Sequence, residues 1–455
     1  MVKNVGRESE REEMNLQVKT AAFINDLNYD VLPSGIKEDA KYRLLDWVGS
    51  ALAGIRYQPA QIVTEFVKSA GGLPQATILK GNGKVPMAQA AFANGIIGHV
   101  AEFDDGHRLA IAHPGSITVP VALALAENYG RSGKELITAI VAGYEVLIRL
   151  GMCVNPSHYK IWHTTGTCGA FAAAATAAAL LKLNKDQVLM ALGIAGTLGA
   201  GLQETFGTHA KSLNAGHACQ SGIQSALLAQ QGFTGPEEII IGHKGFIKAT
   251  TQEYDTKPLE DIGQTPLLSN TAFYKVYASC GHTNSSLDAM FKIMAEQDIS
   301  LSTIKHIHVT TYRIAVELTA ELKNETEESA KFSLPYCLAV ALIYKRVTLK
   351  EFTPDRLNNP EILALARKIT VTEDPVATSR FPKRQATICI EVDNGQIIEA
   401  TVKTSNDEPQ YDALEEKFLS LASGNMEQET ARKIKEIILN IEKLDDLNVL
   451  MQYLA

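Results

Sequence analysis

Apolar residues recur at three- and four-residue spacing through the first half of the sequence, from about residue 16 to residue 232. This spacing places them on one face of an α-helix and predicts helices that pack around a shared core. Glycines and short polar segments separate the apolar runs. We therefore predict an α-helical domain here. Its clearest run is Tyr42, Leu45, Val48 and Leu52.

Two segments of this half, residues 170–181 and 191–202, are crowded with alanine and glycine. Small side chains let helix backbones approach closely, which favours core packing over a cofactor loop. The glycines between residues 193 and 201 are not a dinucleotide fingerprint, because no predicted strand precedes them. The most apolar stretches, residues 168–181 and 188–202, fall short of the ~20 residues that cross a bilayer. No membrane partner is therefore expected.

Strand patterns begin after about residue 268. Polar and apolar residues alternate through residues 306–311 and 368–372, as in half-buried strands. Two β-rich runs within residues 387–402 flank Asn394-Gly395, a pair suited to a type I′ turn in which both central residues need a positive φ. These patterns predict a smaller α+β domain.

We predict that residues 269–405 form this α+β domain, and that residues 14–268 and 406–455 together form a discontinuous helical domain. Residues 1–13 are predicted to be a frayed, solvated extension. The linkers are expected near residues 261–269 and 404–410, where turn and polar residues collect.

Bulk properties exclude several classes of protein. A length of 455 residues fits two cores, because single cores stop growing at roughly 250–300 residues. A formal net charge of −8 disfavours a nucleic-acid partner. No signal-peptide pattern follows the first methionine, and the six cysteines include no CxxC pair. We expect a cytoplasmic protein with reduced thiols.

The first candidate site is a loop rich in titratable residues between apolar segments. It contains Glu102, Asp104, Asp105, Arg108 and His113 within twelve positions. Neighbouring charges can move pKa values toward neutrality, which suits proton transfer. The alternative interpretation is a solvated loop with helix caps.

The second candidate site is His163-Thr164-Thr165, directly before an alanine-rich helix. The two threonines can cap that helix, whose free N–H groups would attract a substrate carboxylate. His163 would then lie beside the bound anion. A histidine in this position more often packs or caps.

Two further candidate segments contain lysines. Lys211 begins a helix of small residues, where it could bind a carboxylate or extend to solvent as a surface lysine. Lys275 is followed by Cys280 and His282 at the predicted domain junction, where ligand clefts commonly form. We expect no metal site, because the sequence has neither HExxH nor finger-like His and Cys spacing.

Taken in order, these segments resemble the MmgE/PrpD family, which includes 2-methylcitrate dehydratase, cis-aconitate decarboxylase and iminodisuccinate epimerase. The landmarks are residues 102–105 with 113–115, 143–149, 162–167, 211–216, 232–236 and 275–280. The resemblance implies a mainly α fold with a large helical domain, an α+β lid and an active-site cleft between them. It also implies a homodimer without metal or organic cofactor.

By this resemblance, Glu102, His113, His163, Lys211 and Lys275 face the cleft, with Asp104 and Asp105 close by. The sequence departs from the family in three places. Family members usually have Asp where this chain has Glu102, and dehydratases and decarboxylases often have Thr where Gly106 stands. The decarboxylases have His where this chain has Cys280, so this segment is more similar to the epimerase-like branches.

The predicted reaction is removal of a proton α to a carboxylate of a small di- or tricarboxylic acid. Lys211, Lys275 and Arg108 would hold carboxylates, and His163 and His113 would serve as base and acid. The outcome would be dehydration, with epimerisation and then decarboxylation as alternatives. Cys280 would be a second acid–base group or a packing residue. Thr164, Thr165 and His282 complete the predicted substrate contacts, and a non-catalytic carboxylate-binding protein is the alternative outside enzymes.

Overall fold

The computed structural model describes residues 16–81, 83–264, 267–405 and 411–455. The predicted extension at residues 1–13 lies outside the described residues, as does much of the second predicted linker. Helices dominate the described chain, and the strands form two small sheets. The prediction of a mainly α fold is confirmed.

Helices up to the predicted domain junction are α1 (Leu16–Asp26), α2 (Ser34–Gly54), α3 (Gln58–Ala70), α4 (Met87–Val100), α5 (Gly115–Tyr129), α6 (Gly133–Val154), α7 (Thr164–Leu181), α8 (Lys185–Leu198), α9 (Ala210–Gln230), α10 (Phe246–Thr250) and α11 (Lys257–Glu260). A two-stranded antiparallel ribbon precedes α4 and consists of β1 (Ala76–Thr77) and β2 (Lys84–Val85).

The later helices are α12 (Asn284–Glu296), α13 (Arg313–Thr319), α14 (Glu327–Lys331), α15 (Leu334–Tyr344), α16 (Pro354–Leu357), α17 (Pro360–Ala366), α18 (Pro375–Ser379), α19 (Tyr411–Ala422), α20 (Gln428–Leu439) and α21 (Asn448–Leu454). The strands among them are β3 (Ile304–Thr311), β4 (Ile369–Glu373), β5 (Ala386–Val392) and β6 (Ile397–Val402). Single 3-10 turns lie at Tyr29–Val31, His158–Lys160, Gln203–Thr205, Ser269–Thr271, Leu301–Thr303, Leu349–Phe352 and Ile441–Lys443.

The four later strands form one sheet in the order β4-β3-β5-β6. Strand β3 pairs with β4 in parallel and with β5 antiparallel. Ile307 and Val309 are fully buried, while His306, His308 and Thr310 are partly exposed, as the alternation predicts. The strand predictions for this part of the chain are confirmed.

The predicted β5–β6 hairpin is present, but its turn type was wrongly predicted. Only Gly395, at φ +83°, has a positive φ, whereas a type I′ turn also needs one at Asn394. The Val392 amide donates to the Gln396 carbonyl at 3.1 Å, so the loop has three residues. The Asn394 side chain accepts from the Gln396 amide at 2.9 Å, which stabilises this longer loop.

Two large clusters of buried apolar side chains lie on either side of the predicted junction. One contains the helices up to residue 274 and side chains of the C-terminal helices, such as Phe418, Ile434 and Leu450. The other contains most of the sheet and the helices around it, with five residues of the helical part. The C-terminal helices therefore pack on the first part of the chain, while the exact domain division stays a prediction.

The sequence analysis did not single out α6, and α7 begins four residues before the predicted apolar stretch 168–181. At 22 and 18 residues, both helices are long and apolar enough to cross a membrane, so the expectation that the most apolar stretches are too short for this was wrong. However, 94% of the apolar window of each is buried inside the protein. Such burial is typical of core helices in a globular protein.

Small residues allow these central helices to pack closely, as predicted. A Cβ atom added at Gly222 of α9 would lie 2.2 Å from the Cβ of Ala173 in α7. A Cβ added at Gly143 of α6 would lie 2.1 Å from Thr176 Oγ1, also in α7. Helix α7 is therefore held between two neighbours whose spacing depends on glycine.

Replacing Gly222 by alanine should lower the free energy of unfolding by about 1–3 kcal/mol, because the added methyl group overpacks the α7–α9 contact. The matched control is Gly35→Ala in α2, where an added Cβ meets no atom within 4 Å. That change should raise stability by about 0.5–1 kcal/mol. Urea denaturation followed by circular dichroism measures both, and equal effects would contradict the close-packing interpretation.

Candidate active site

A small cavity lies where the loop after α4 meets the first residues of the predicted lid. It receives side chains from the loop, from the starts of α7 and α9, and from residues before α12 and β5. Its lining residues are Glu102, Gly106, His107, Ile111, Ala112, His113, Tyr159, His163, Lys211, Phe273, Cys280, Gly281, His282, Phe332 and Arg384. Six predicted site residues are among them.

The loop after α4 is tightly folded. Glu102 has a left-handed backbone at φ +56°, which L side chains adopt at a cost. Gly106 exchanges backbone hydrogen bonds with Phe273, and an added Cβ would lie 2.7 Å from the Phe273 ring. This contact explains why glycine, rather than the threonine expected from the family, occupies position 106.

Glu102 is held between two buried lysines. Its carboxylate accepts a hydrogen bond from Lys211 Nζ, and its other oxygen accepts from Lys275 Nζ at 3.1 Å. Burial alone would raise the pKa of Glu102, but the two ammonium charges hold it well below its usual range. The carboxylate is therefore ionised, and it fixes both lysines in place.

A second carboxylate positions Lys211 through His99, a residue that the sequence analysis missed. Asp104 Oδ2 lies 2.8 Å from Nδ1 of the fully buried His99, whose Nε2 lies 2.9 Å from Lys211 Nζ. An ammonium group has only donors, so His99 Nε2 accepts and Nδ1–H donates to Asp104. Asp104 thus acts through His99 and does not line the cavity itself.

His113 has a defined orientation in the same loop. Its Nδ1 lies 2.7 Å from the Asp105 carbonyl oxygen and 3.3 Å from Asp104 Oδ2. Both oxygens are acceptors, so Nδ1 carries the proton. Within the described residues Nε2 has no hydrogen-bond partner, and burial lowers the pKa of His113 despite the opposing charge of Asp104. His113 therefore presents a neutral, basic nitrogen.

His163 lies directly before α7, on another wall of the cavity. Its Nδ1 lies 3.2 Å from the side-chain amide nitrogen of Asn214, which donates to it. The proton of the neutral ring is then on Nε2. Burial, together with the charge on Lys211, holds the pKa of His163 well below its usual range. His163 is therefore a neutral hydrogen-bond donor.

Several predicted site residues lie outside the cavity. Lys275 is behind Glu102, where its Nζ also donates to the Glu102 carbonyl at 3.0 Å. Asp105 faces the interior, where it accepts from Tyr144 Oη at 2.8 Å and from the Gly115 amide at 3.0 Å. Burial raises the pKa of Asp105 to about 6. These two side chains support the loop and α5 from outside the cavity.

Arg108 and the two threonines are also outside it. Arg108 donates to the Ser405 carbonyl at 3.0 Å. Thr165 Oγ1 accepts from the His113 amide at 3.2 Å, and Thr164 Oγ1 accepts from the Asn155 side chain at 3.2 Å. Both threonines are fully buried, so they fix the loop and the start of α7 and line no part of the cavity.

The predicted lid contributes Cys280 and His282, as expected. Burial raises the pKa of the Cys280 thiol, which keeps it protonated at neutral pH. His282 Nδ1 lies 2.7 Å from the Tyr312 hydroxyl. Burial and the nearby charge of Arg384 hold the pKa of His282 well below its usual range.

Arg384 is the main lining residue that sequence reasoning missed. It is 3% exposed, and its Nη1 donates to the Gly281 carbonyl at 3.1 Å. Its buried Nε has no hydrogen-bond partner among the described residues. Arg384 lies about one hundred positions after Cys280 and His282 in an ordinary polar segment, so no local signal marked it. A buried guanidinium with a free donor is well suited to a carboxylate.

One cluster has the ligand atoms for a cation. Those of His99, Asp104 and His113 lie within 4.8 Å of one another. Hydrogen bonds already account for this arrangement, because the Nδ1 proton of each ring is directed at an oxygen acceptor. These three positions do not have the spacing of a known metal-binding motif in the sequence.

Comparison with known proteins assigns the chain to a family. The MmgE/PrpD N-terminal domain matches residues 18–259, and the MmgE/PrpD C-terminal domain matches residues 277–443. The chain belongs to the MmgE/PrpD family. The resemblance of the sequence motifs is thereby confirmed. Residues 260–276, which include the predicted domain junction, lie between the two matches.

Relatives in the MmgE/PrpD family include decarboxylases and dehydratases. The chain is 27% identical to cis-aconitate decarboxylase of Aspergillus terreus (strain NIH 2624 / FGSC A1156), over 95% of this chain and 94% of the relative. Identity to human cis-aconitate decarboxylase is 26%, over 94% and 92%. Identity to 2-methylcitrate dehydratase of Escherichia coli (strain K12) is 23%, over 83% and 82%.

Replacing Glu102 by glutamine should lower the free energy of unfolding at pH 7 by about 3–5 kcal/mol, because two buried ammonium groups lose their counter-charge. Urea denaturation measures the change. The control is Glu321→Gln, whose side chain is 82% exposed, with an expected change under about 0.5 kcal/mol.

The pH dependence of the free energy of unfolding gives a second test of the contacts between Glu102 and the two lysines. Because the pKa of Glu102 is lowered on folding, its stabilisation is present above the usual value of 4.5 and is lost as pH falls through the depressed value. The difference in the free energy of unfolding between wild type and Glu102→Gln should therefore become smaller as the pH is lowered. A difference that stays constant or widens would contradict the ion-pair account.

Proposed function

We propose that this protein is an enzyme that removes a proton α to a carboxylate of a small di- or tricarboxylic acid. The observation that carries the proposal is the free Nε2 of His113, in a buried cavity that also contains Lys211 and Arg384. A neutral imidazole beside fixed cations can take a carbon-bound proton while the cations stabilise the resulting anion.

The charges around the cavity favour an anionic substrate. Lys211, Lys275 and Arg384 supply three positive charges, whereas ionised Glu102 and Asp104 supply two negative ones. Lys211 uses two of its three donors on Glu102 and His99, and so retains one for substrate. One substrate carboxylate would bind Lys211 and another would bind Arg384, while Lys275 supports Glu102 from behind.

The two histidines have complementary roles in this proposal. His113 Nε2 removes the α-proton, and the electron pair of the C–H bond moves toward the carboxylate held by Lys211. His163 donates its Nε2 proton to a β-hydroxyl group as the C–O bond breaks. A C=C bond forms and water leaves, so the reaction is a dehydration. Both histidines are neutral at pH 7, as these roles require.

Decarboxylation is the second candidate reaction, and the relatives favour it. The decarboxylases are more similar to this chain than the dehydratase and align over more of its length. Cys280 distinguishes the chain from the decarboxylase pattern, and its protonated thiol could instead return a proton in an epimerisation. Two further parts of the proposal are a cytoplasmic location, which rests on the cysteine pattern of the sequence, and a homodimeric state, which rests on the family resemblance.

The proposed activity can be tested by incubating the protein with citrate, 2-methylcitrate, cis-aconitate and substituted succinates in deuterated water. Proton NMR should show elimination for a dehydratase, CO2 loss for a decarboxylase, and α-deuteration with retained skeleton for an epimerase. Binding without any of these changes would instead identify a carboxylate-binding protein.

With the polycarboxylic acid that the wild-type protein converts, His113→Gln should lower kcat by about 10²–10⁴-fold, which is the usual contribution of one general base. Arg384→Gln should mainly raise KM, because it removes a carboxylate contact. His209→Gln is the control, since its side chain is 46% exposed and does not line the cavity. Full turnover by His113→Gln would remove this residue from the mechanism.

The pH–rate profile tests the protonation state of His113 independently. Burial lowers its pKa from the usual 6.5, so the basic form persists to lower pH in the folded protein. The acid limb of the plot of kcat/KM against pH should therefore have its midpoint below pH 6.5. A midpoint above pH 6.5 would indicate a raised pKa and contradict the assignment.

A further inference from the structure

A second cavity lies beside the candidate active site, and Tyr159 forms part of the wall of both. The second cavity has a volume of about 440 Å³, within the range of small-molecule binding sites. The active-site cavity is much smaller, at about 30 Å³.

The second cavity differs from the first in chemistry. Most of its inner surface is apolar or aromatic, and the charged residues Lys160, Arg313 and Glu317 are exposed at its rim. Such a surface favours hydrocarbon over carboxylate, because a buried charge without a partner is costly. Its apolar and aromatic lining residues are Pro156, Tyr159, Tyr312, Ile314, Leu318 and Phe381.

Only one layer of side chains separates the two cavities. The Tyr312 hydroxyl, on the side of the second cavity, lies 2.7 Å from Nδ1 of His282, which lines the first. The Tyr159 ring centroid lies 6.2 Å from that of His282. The two cavities are therefore adjacent, and the Tyr159 side chain and the Tyr312–His282 pair form the wall between them.

We propose that the second cavity binds an apolar substituent of the substrate, longer than a methyl group, while the carboxylates occupy the first cavity. This inference rests on the proposed function and narrows its substrate class to polycarboxylic acids with an alkyl or aryl side chain. The adjacency of the two cavities, their contrast in polarity and the small size of the first all support this occupant, whose path lies past the Tyr159 side chain.

The test compares a homologous series of 2-alkylcitrates and the corresponding alkyl aconitates, from hydrogen through methyl and butyl to hexyl. For wild type, kcat/KM should rise by roughly fourfold per added methylene until the cavity is filled. The discriminating quantity is the ratio of kcat/KM for the hexyl acid to that for the unsubstituted acid.

Two substitutions at Leu318 change the size of the cavity in opposite directions. Leu318 is partly buried in α13 and lines the second cavity but not the first. Leu318→Trp fills the cavity and should bring the hexyl-to-unsubstituted ratio of kcat/KM close to one. Leu318→Ala enlarges the cavity and should keep the preference for long chains. Val376→Trp is the control, because Val376 is 53% exposed in neighbouring α18 and lines neither cavity; its ratio should equal that of wild type.

A wild-type ratio near one would overturn the inference. So would an equal loss for every acid in Leu318→Trp, since the second cavity would then be only a route of entry. If no acid reacts, the proposed function fails, and isothermal titration with the same acids still decides occupancy. Affinity that rises with chain length in wild type but not in Leu318→Trp supports the apolar site, and flat affinity contradicts it.

Discussion

The structure around the cavity depends on one buried carboxylate, that of Glu102. It binds Lys211 and Lys275, two lysines that are 64 positions apart in sequence and lie on opposite sides of it. Removing three charges from water is costly, and only their mutual pairing offsets that cost. The loop after α4, the start of α9 and the beginning of the predicted lid are thereby fixed relative to one another.

A second ionic contact ties the C-terminal helices to the same place. Lys417 of α19 donates to Asp46 of α2 at 2.7 Å, to the Phe103 carbonyl at 2.8 Å and to the Lys275 carbonyl at 3.0 Å. The last helices therefore support the segments on either side of Glu102. These contacts join the far end of the chain to the first predicted helical segment and to the beginning of the predicted lid.

The departures from the family pattern have different physical meanings. Gly106 is required by the close approach of Phe273, so it reflects packing of this loop against the lid. Glu102 is one methylene longer than the aspartate expected from the family, and it spans both lysines. Cys280 bears on the chemistry of the cavity surface, because it presents a protonated thiol where the family resemblance leads us to expect an imidazole in a decarboxylase.

Local pattern was enough to predict the mainly α fold, the four strands and the family, because helical and strand periodicities and short motifs are properties of neighbouring residues. It also placed Glu102, His113, His163, Lys211, Cys280 and His282 in the candidate site, where they line one cavity. Only the tertiary structure separated lining residues from supporting ones. Six predicted residues do not line the cavity: Lys275, Asp104, Asp105, Arg108, Thr164 and Thr165. His99 and Arg384 belong to the site because of contacts with residues that are far away in sequence. Contacts between residues that are far apart in sequence decide whether a side chain points into the cavity, and a local sequence pattern does not contain this information.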